Sequence, residues 1–439
     1  MASQTPDVLV LGGGFAGVVA ARELRAAGRS VRLLEARDRL GGRTWFRKDA
    51  LAGHDLEMGG AWIVPEQPHV WAEVQRYGLD APFWGLPSSF GWFTDGALRQ
   101  GALPVPPDEL PELERLLHAM REAAARLDLS RPLAGQDIAD LDSTPSDVWL
   151  EQLELPTHTR ELALAWFSGT ASAMPGECSI LEVVRWLAAA DNSIWRWLAA
   201  SVLGHVLAHG TASLIATIAE DAGADVRLDA PVLSVSQDAD GVSVRTGGGT
   251  PAEHRAAAAV VALPLNCLGD VRFDPPLADG KLAAAHERHA GHGAKVWALV
   301  REAPASYFGL GWRGGNGFDF VGTEEILEDS ALLVCFSPDP ALAHASHDEV
   351  ELAIRAFLPE AELLEHTAHN WADDPYARGT WNAFRPNQIM KYETTLRAGE
   401  GRLVFAGSHT ALRWPGFIDG AVESGLRAAA ETRALLERA

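Results

Sequence analysis

One stretch near the start constrains this chain more than any other: the apolar run Asp7-Val-Leu-Val-Leu11, followed directly by Gly12-Gly-Gly14-Phe-Ala-Gly17. A run this short and this apolar suits a strand buried on both faces of a parallel sheet. From Phe15 to Ala27 the apolar spacing becomes helical, through Val18, Val19, Ala20 and Leu24, and Gly28 stands just past the end. Ser30 to Glu35 then reads as a second strand, which closes a βαβ unit. Each part has a physical task. Gly12 permits a tight turn, Gly14 lets backbone approach a pyrophosphate, and Gly17 lets helix and strand pack closely. The helix start offers unpaired N–H groups and the positive end of its dipole to phosphates. Glu35 can accept from ribose hydroxyls, and its charge would repel a 2′-phosphate. A GxGxxG alone is weak. Strand, helix, second strand and acid in this order point to a dinucleotide.

Gly309-Leu-Gly311-Trp-Arg-Gly314 also fits GxGxxG, but no apolar strand precedes it and Gly315-Asn-Gly317 stands where a helix should begin. It reads as a flexible loop, so a second nucleotide site is not expected.

The residues just after Glu35 separate FAD from NAD. Ala36-Arg37-Asp38-Arg39-Leu40-Gly41-Gly42-Arg43-Thr44 and Glu57-Met-Gly59-Gly60-Ala61-Trp62 resemble two segments of the flavin-containing amine oxidase family, the monoamine and polyamine oxidase-like FAD proteins. The resemblance extends to Gly210-Thr-Ala-Ser213, Val226 to Val235, Val260 to Pro264 and Val271 to Pro276, all in family order. Near the C-terminus, Leu403 to Thr410 and Trp414-Pro-Gly416-Phe417-Ile-Asp419-Gly420-Ala421 resemble the family's second flavin motif. The resemblance runs from Asp7 to Leu436. It implies an α/β fold: a Rossmann-like, doubly wound FAD domain with a discontinuous α+β substrate domain, a mixed sheet covered by helices. The expected FAD domain uses residues 1–78, 206–288 and 395–439. The substrate domain uses 79–205 and 289–394, with the active site at their junction.

The resemblance also implies which residues touch FAD. These are Gly12, Gly14, Phe15, Ala16 and Gly17 at the first turn, then Glu35, Ala36 and Arg37, with Gly42 and Arg43 along the cofactor. Gly59, Gly60, Ala61 and Trp62 pass the ring, and Val232 lies beside the adenine. Gly407, Ser408, Gly416, Phe417 and Ala421 hold the ribityl chain and pyrimidine end. Ser408 departs from the family, where many members have glutamate. Thr380 stands where some relatives attach flavin through a cysteine, so FAD is expected to be noncovalent.

Three residues carry the expected chemistry. In Gly293-Ala-Lys295-Val-Trp297-Ala-Leu-Val300, alternation points Lys295 and Trp297 to one face and Val296, Ala298 and Val300 to the other. A lysine on a strand this apolar needs a partner. The matching family lysine holds a water against flavin N5 and assists the reaction with oxygen. Trp381, within Trp371 to Trp381, and Phe417 correspond to the two walls of an aromatic cage facing the flavin, and such walls can clasp a small amine. An edge-strand lysine facing solvent, and core packing of the aromatics, are the plain alternatives.

The implied activity is oxidation of an amine C–N bond to an imine, with O2 reduced to hydrogen peroxide. An amino-acid oxidase of the same superfamily is the rival, and it would need a carboxylate-binding arginine, Arg313 or Arg385. A carbon–carbon desaturase would leave Lys295 and the aromatic pair without a task. A protein in which FAD is purely structural is a further alternative.

Composition adds limits. A formal net charge of −22 argues against nucleic acid or an anionic membrane as partner. No apolar run reaches membrane-spanning length, and the first residues lack the basic start and apolar core of a secretion signal. Cys178, Cys267 and Cys335 lie far apart without a CxxC pair, and the histidines show no metal spacing, so no metal is expected. A cytoplasmic protein is expected, with a homodimer plausible from the family. The segment from Asp80 to Leu207 reads as helix-rich; its Trp195 and Trp197 could gate a pocket, with core packing or a subunit contact as the simpler role.

Overall fold

A computed structural model gives the structure of the protein and describes residues 5–202, 204–303 and 306–438. Its first sheet is parallel throughout. The strand Val8–Leu11 sits at the centre, fully buried, between Ala258–Val261 and Val31–Leu34; Leu403–Phe405 and Asp225–Arg227 extend the sheet at its two edges. Parallel strands need covering on both faces, which is why the run Val-Leu-Val-Leu shows no polar alternation. On one face, the helix Phe15–Ala26 packs between the helices Gly210–Ala222 and Ile418–Arg438, and Val8, Val10, Val18, Val19, Ile218 and Val422 share that core. On the other face, Leu9, Leu11 and Leu34 join a core that continues into the helices Leu110–Ala124 and Ile180–Ala189. Two glycines at the first turn are forced. Gly12 has φ +105°, and a Cβ there would lie 2.7 Å from the Ala262 carbonyl oxygen. A Cβ on Gly17 would collide with the Gly12 carbonyl oxygen.

The second large sheet has seven strands, ordered Glu362–Ala368, Ala294–Arg301, Ala331–Ser337, Phe320–Ile326, Tyr307–Gly311, Ser89–Thr94 and Ala97–Gln100. It is mixed: Tyr307–Gly311 pairs in parallel with Ser89–Thr94, and its other pairs are antiparallel. Val296, Ala298 and Val300 face a core shared with Val350, Ile354 and Phe357, from the helix His347–Arg355 and the turn after it. Trp297 and Leu299 face the opposite way, onto Leu51, Leu56 and Met58. The expected α/β class, with a doubly wound parallel sheet and a separate mixed sheet, is therefore the observed one. A four-stranded sheet, Ala252–Ala256, Val242–Thr246, Val232–Gln237 and Arg272–Asp274, lies beside the parallel one.

One local reading needs correction. Gly309 and Gly311 belong to an interior strand of the seven-stranded sheet, and its residues Tyr307–Gly311 are all buried. Their glycines serve close packing: a Cβ on Gly311 would collide with Phe93, and one on Gly309 would lie 2.8 Å from the Phe357 ring. The positive-φ turn begins only at Gly314. The segment from Asp80 to Leu207 is helix-rich as expected, and at its start Ser-Phe-Gly-Trp-Phe-Thr at 89–94 and the strand after it add one edge to the seven-stranded sheet. Aromatic residues with a threonine fit a pleated, half-buried strand. No described helix is long and apolar enough to cross a membrane.

Candidate active site

Between the parallel sheet and the seven-stranded sheet runs a cavity of about 610 Å³. The end of Val8–Leu11 delivers Gly12, Gly14, Phe15 and Ala16 to one end of it. The helix that starts at Phe15 has no side-chain cap and no acidic residue in its first turn. Its first N–H groups are left to an anionic ligand. A Cβ on Gly14 would meet nothing closer than 3.9 Å, so this backbone is open to the cavity. Gly17 does not line the cavity; it packs helix against turn.

Glu35 ends the second strand, 5% exposed, and accepts from Gly13 N–H at 2.6 Å and Arg37 N–H at 2.8 Å. Burial raises its carboxyl, and the two amides work in the opposite direction. Each oxygen keeps a lone pair for a hydroxyl donor. Ala36 and Arg37 come next along the wall; Arg37 pairs with Asp374 at 2.6 Å and lies over the Tyr376 ring. Val232 reaches the same end, and the strand pairing skips a residue between Val232 and Ser234, a bulge that takes Leu233 out of the ladder.

Arg43 occupies the middle, beside Gly42. It donates to the Thr380 carbonyl at 2.7 Å and to the Ser408 hydroxyl at 3.1 Å, and among the described residues no carboxylate pairs with it. Burial of this uncompensated cation lowers its pKa. A buried guanidinium is normally paired. The uncapped helix start, the ribose-ready carboxylate and the unpaired arginine fit FAD: the diphosphate would meet the helix start and Arg43. Gly59, Gly60, Ala61 and Trp62 line the wall from one side, and Gly407, Ser408, Gly416 and Ala421 from the other.

The remaining end of the cavity is built from rings. Trp381 donates its indole N–H to the Thr170 carbonyl at 2.9 Å, which fixes the ring plane, and it meets Phe336 at 6.3 Å between centroids. Phe417 is held edge-on by Trp186 at 4.5 Å and by Trp414 at 5.3 Å. Trp166 stacks on Trp197 at 5.0 Å, and Phe308 meets Phe320 edge-on at 5.2 Å. Lys295 is the one charged side chain at this end among the described residues. Its Nζ donates to the carbonyls of Glu57 at 2.7 Å and Gly59 at 3.2 Å. Burial pushes its amine down to about 8, against the pull of Glu57 and Glu324.

Lys295, Trp381 and Phe417, from three separate segments, thus share one chamber with the expected cofactor residues. Arg313 and Arg385 do not reach it. Arg313 lies over the Phe93 ring, and Arg385 pairs with Glu177 at 3.3 Å. Trp197 lines the chamber, whereas Trp195 is 81% exposed and does not. Sequence reasoning missed Trp84, Trp166, Phe308, Phe320 and Phe336. They come from strands, a helix and, for Trp84, a connecting segment with no motif, although alternation in Phe-Gly-Leu-Gly at 308–311 offered a weak signal. It also missed Cys267, which reaches the cavity wall with a thiol that burial pushes up to about 12.

The model of the family "Flavin containing amine oxidoreductase" matches residues 15–432. The chain belongs to that family. It is similar to a pseudooxynicotine dehydrogenase of Pseudomonas sp, 35% identical over 95% of this chain and 84% of the relative. It is also similar to an (S)-6-hydroxynicotine oxidase of Paenarthrobacter nicotinovorans, 32% identical over 95% of this chain and 97% of the relative. Among solved structures, a putrescine oxidase bound to putrescine superposes with a TM-score of 0.86, 26% identical over 98% of this chain and 99% of the other. The chain is therefore a flavin-dependent oxidoreductase that acts on amines.

Proposed function

We propose that this enzyme oxidises a C–N bond of a small amine with a cyclic, largely apolar body to the imine, using noncovalent FAD and passing the electrons to O2 with release of hydrogen peroxide. The observation that carries the substrate class is the ring end of the cavity, walled by Trp166, Trp186, Trp197, Trp381, Phe320 and Phe417; the two carboxylates that line the cavity, Glu35 and Asp270, are engaged by the Gly13 and Arg37 amides and by Arg378. A diamine such as the putrescine held by the solved relative has a second ammonium that wants an acidic partner, and among the described residues none stands with the rings at this end. A cyclic body needs only rings. The nicotine-derived compounds named for the two relatives above fit that description. An amino acid does not, because among the described residues no guanidinium stands with the rings to take its carboxylate, Arg43 facing the part of the cavity that fits FAD.

FAD, when bound, supplies the hydride acceptor. The protein's contribution is dielectric and geometry. Rings on several sides exclude water and favour the neutral amine, whose lone pair assists cleavage of the C–H bond. Trp381 and Phe417 are each fixed from behind, which holds their ring planes before substrate arrives. Lys295 presents its remaining N–H to the chamber, where it can hold a water and favour negative charge developing on oxygen. Thr380 stands at the attachment place and the Cys267 thiol stays protonated, which supports a noncovalent flavin.

Oxygen-electrode assays with a cyclic amine test the oxidase claim. One peroxide per amine consumed is expected, and Lys295→Met should slow reoxidation of the reduced enzyme by ten-fold or more. Rapid turnover with an artificial electron acceptor but negligible oxygen uptake would overturn the oxygen assignment and leave the amine chemistry intact.

A further inference from the structure

Lysine is scarce in this chain, occurring at Lys48, Lys281, Lys295 and Lys391 alone. Lys281 lies at a helix end, on the carbonyls of Thr395 and Ala398 and on Glu400 at 2.9 Å. Lys295 has no carboxylate at contact distance among the described residues. Beyond its two carbonyl partners it is surrounded by rings: Trp62 at 4.6 Å, Trp297 at 4.7 Å and Phe336 at 5.9 Å from Nζ. An ammonium on an indole face is attracted by the ring's quadrupole, and more strongly where water is excluded.

Two carboxylates act on this amine, and both are held off it. The Glu57 side chain accepts from the Thr211 amide and hydroxyl. Glu324, on the strand Phe320–Ile326, accepts from the indole N–H of Trp84 at 2.6 Å. The Trp84 ring in turn meets Trp62 edge to face, with centroids 5.7 Å apart and planes at 67°. Carboxylate, indole, indole and ammonium therefore form one continuous chain from Glu324 to Lys295. Trp84, Trp62 and Lys295 line the chamber, and Glu324 stands behind them.

We propose that Glu324 is a positioning residue for this active site: through Trp84 it fixes the Trp62 face on which the Lys295 ammonium rests, and its buried charge keeps that amine protonated. Glu57 is the other charged group acting on Lys295. The neighbouring strand Ala331–Ser337 sets Phe336 opposite Lys295 and carries no charged residue. On the other side, Glu362–Ala368 places Glu365 opposite Leu299 and His366 opposite Ala298, further along the strand. Charge on the bound cofactor is common to wild type and variant. The charge relation stands on its own, and its consequence for oxygen rests on the role proposed above for Lys295.

Glu324→Gln keeps an acceptor for the Trp84 indole and removes the charge. In FAD-loaded enzyme labelled with 13C-lysine, four side-chain resonances titrate at most, and Lys295→Met assigns the one of interest. The Lys295 midpoint should fall by about one pH unit in Glu324→Gln, a ten-fold loss of the ammonium form above both midpoints. Glu324→Asp should return it towards wild type. The rate at which oxygen reoxidises the reduced enzyme should follow the shifted profile. A Lys295 midpoint unmoved by Glu324→Gln, or one that Glu324→Asp leaves fully shifted, would overturn the proposal. A shifted midpoint with a wild-type reoxidation profile would support Glu324 as inferred and remove Lys295 from the oxygen reaction instead.

Discussion

The two ends of the cavity are held by different means. At the end that fits FAD the groups are backbone amides, a helix start, Glu35 and Arg43, and their positions are set by the glycine turn and by strands of the parallel sheet. At the ring end the wall is side chain, ring against ring, and the rings come from helices and strands distant in sequence. Backbone recognition demands particular residues at fixed spacing, because a Cβ at Gly17 would collide with the turn itself. A ring wall demands only bulk and approximate direction. The first end is therefore brittle to single substitutions, and the second is tunable.

Substitutions at each end put this contrast to the test. The largest effect is expected from Gly17→Val, whose side chain has no space between the helix and Gly12. Less than a tenth of the wild-type FAD should co-purify, read as the ratio of flavin to protein absorbance. At the ring end, Phe417→Ala should keep full flavin and lower kcat/KM for a cyclic amine by about ten- to a hundred-fold, or roughly 1.4–2.8 kcal/mol of transition-state stabilisation. Equal loss of flavin in both variants would remove the distinction between the two ends.

A smaller effect belongs to Arg43. Arg43→Met removes the guanidinium that donates to the Thr380 carbonyl and the Ser408 hydroxyl. Titration of apo-protein with FAD should show a several-fold weaker dissociation constant, and an unchanged one would mean that Arg43 does not face the diphosphate.

The smallest concerns a joint behind the FAD end. His69 donates its backbone N–H to Asp419 at 2.6 Å, and its ring lies 3.1 Å from the same carboxylate, a hydrogen bond that raises the imidazole pKa. A raised folded-state pKa stabilises the protein fully below the ordinary histidine value, and that stability is lost as pH rises through the folded value. The ring is partly exposed, so the contribution is under about 1 kcal/mol. His69→Asn should flatten the slope of melting temperature against pH between 6 and 8, with little change in flavin content.

The same contrast explains what the sequence made legible. The turn at Gly12 to Gly17 and Glu35 could be read because backbone geometry restricts each position to few residues, whereas Arg43 and the Gly407–Phe417 segment were legible through the family resemblance. Lys295 stood out because a cation on an apolar strand needs a reason. Phe308 and Phe320 were silent, since any large apolar residue on those strands looks like core until the fold turns it inward, and Trp84 lies in a connection without a pattern. Glu324 gave no signal, because its partner Trp84 is 240 residues away. The misread Gly309-Leu-Gly311 has a related cause: glycines that admit neighbouring rings to a sheet look, in one dimension, like glycines that make a turn.

The most direct test of the central claim is an anaerobic titration of the purified enzyme, monitoring the flavin absorbance band against cyclic amines, linear diamines and amino acids in turn. The account predicts an enzyme that carries flavin and is bleached stoichiometrically by a cyclic amine, with little response to the other two classes. Protein without flavin, or a flavin reduced by amino acids and left untouched by cyclic amines, would contradict it.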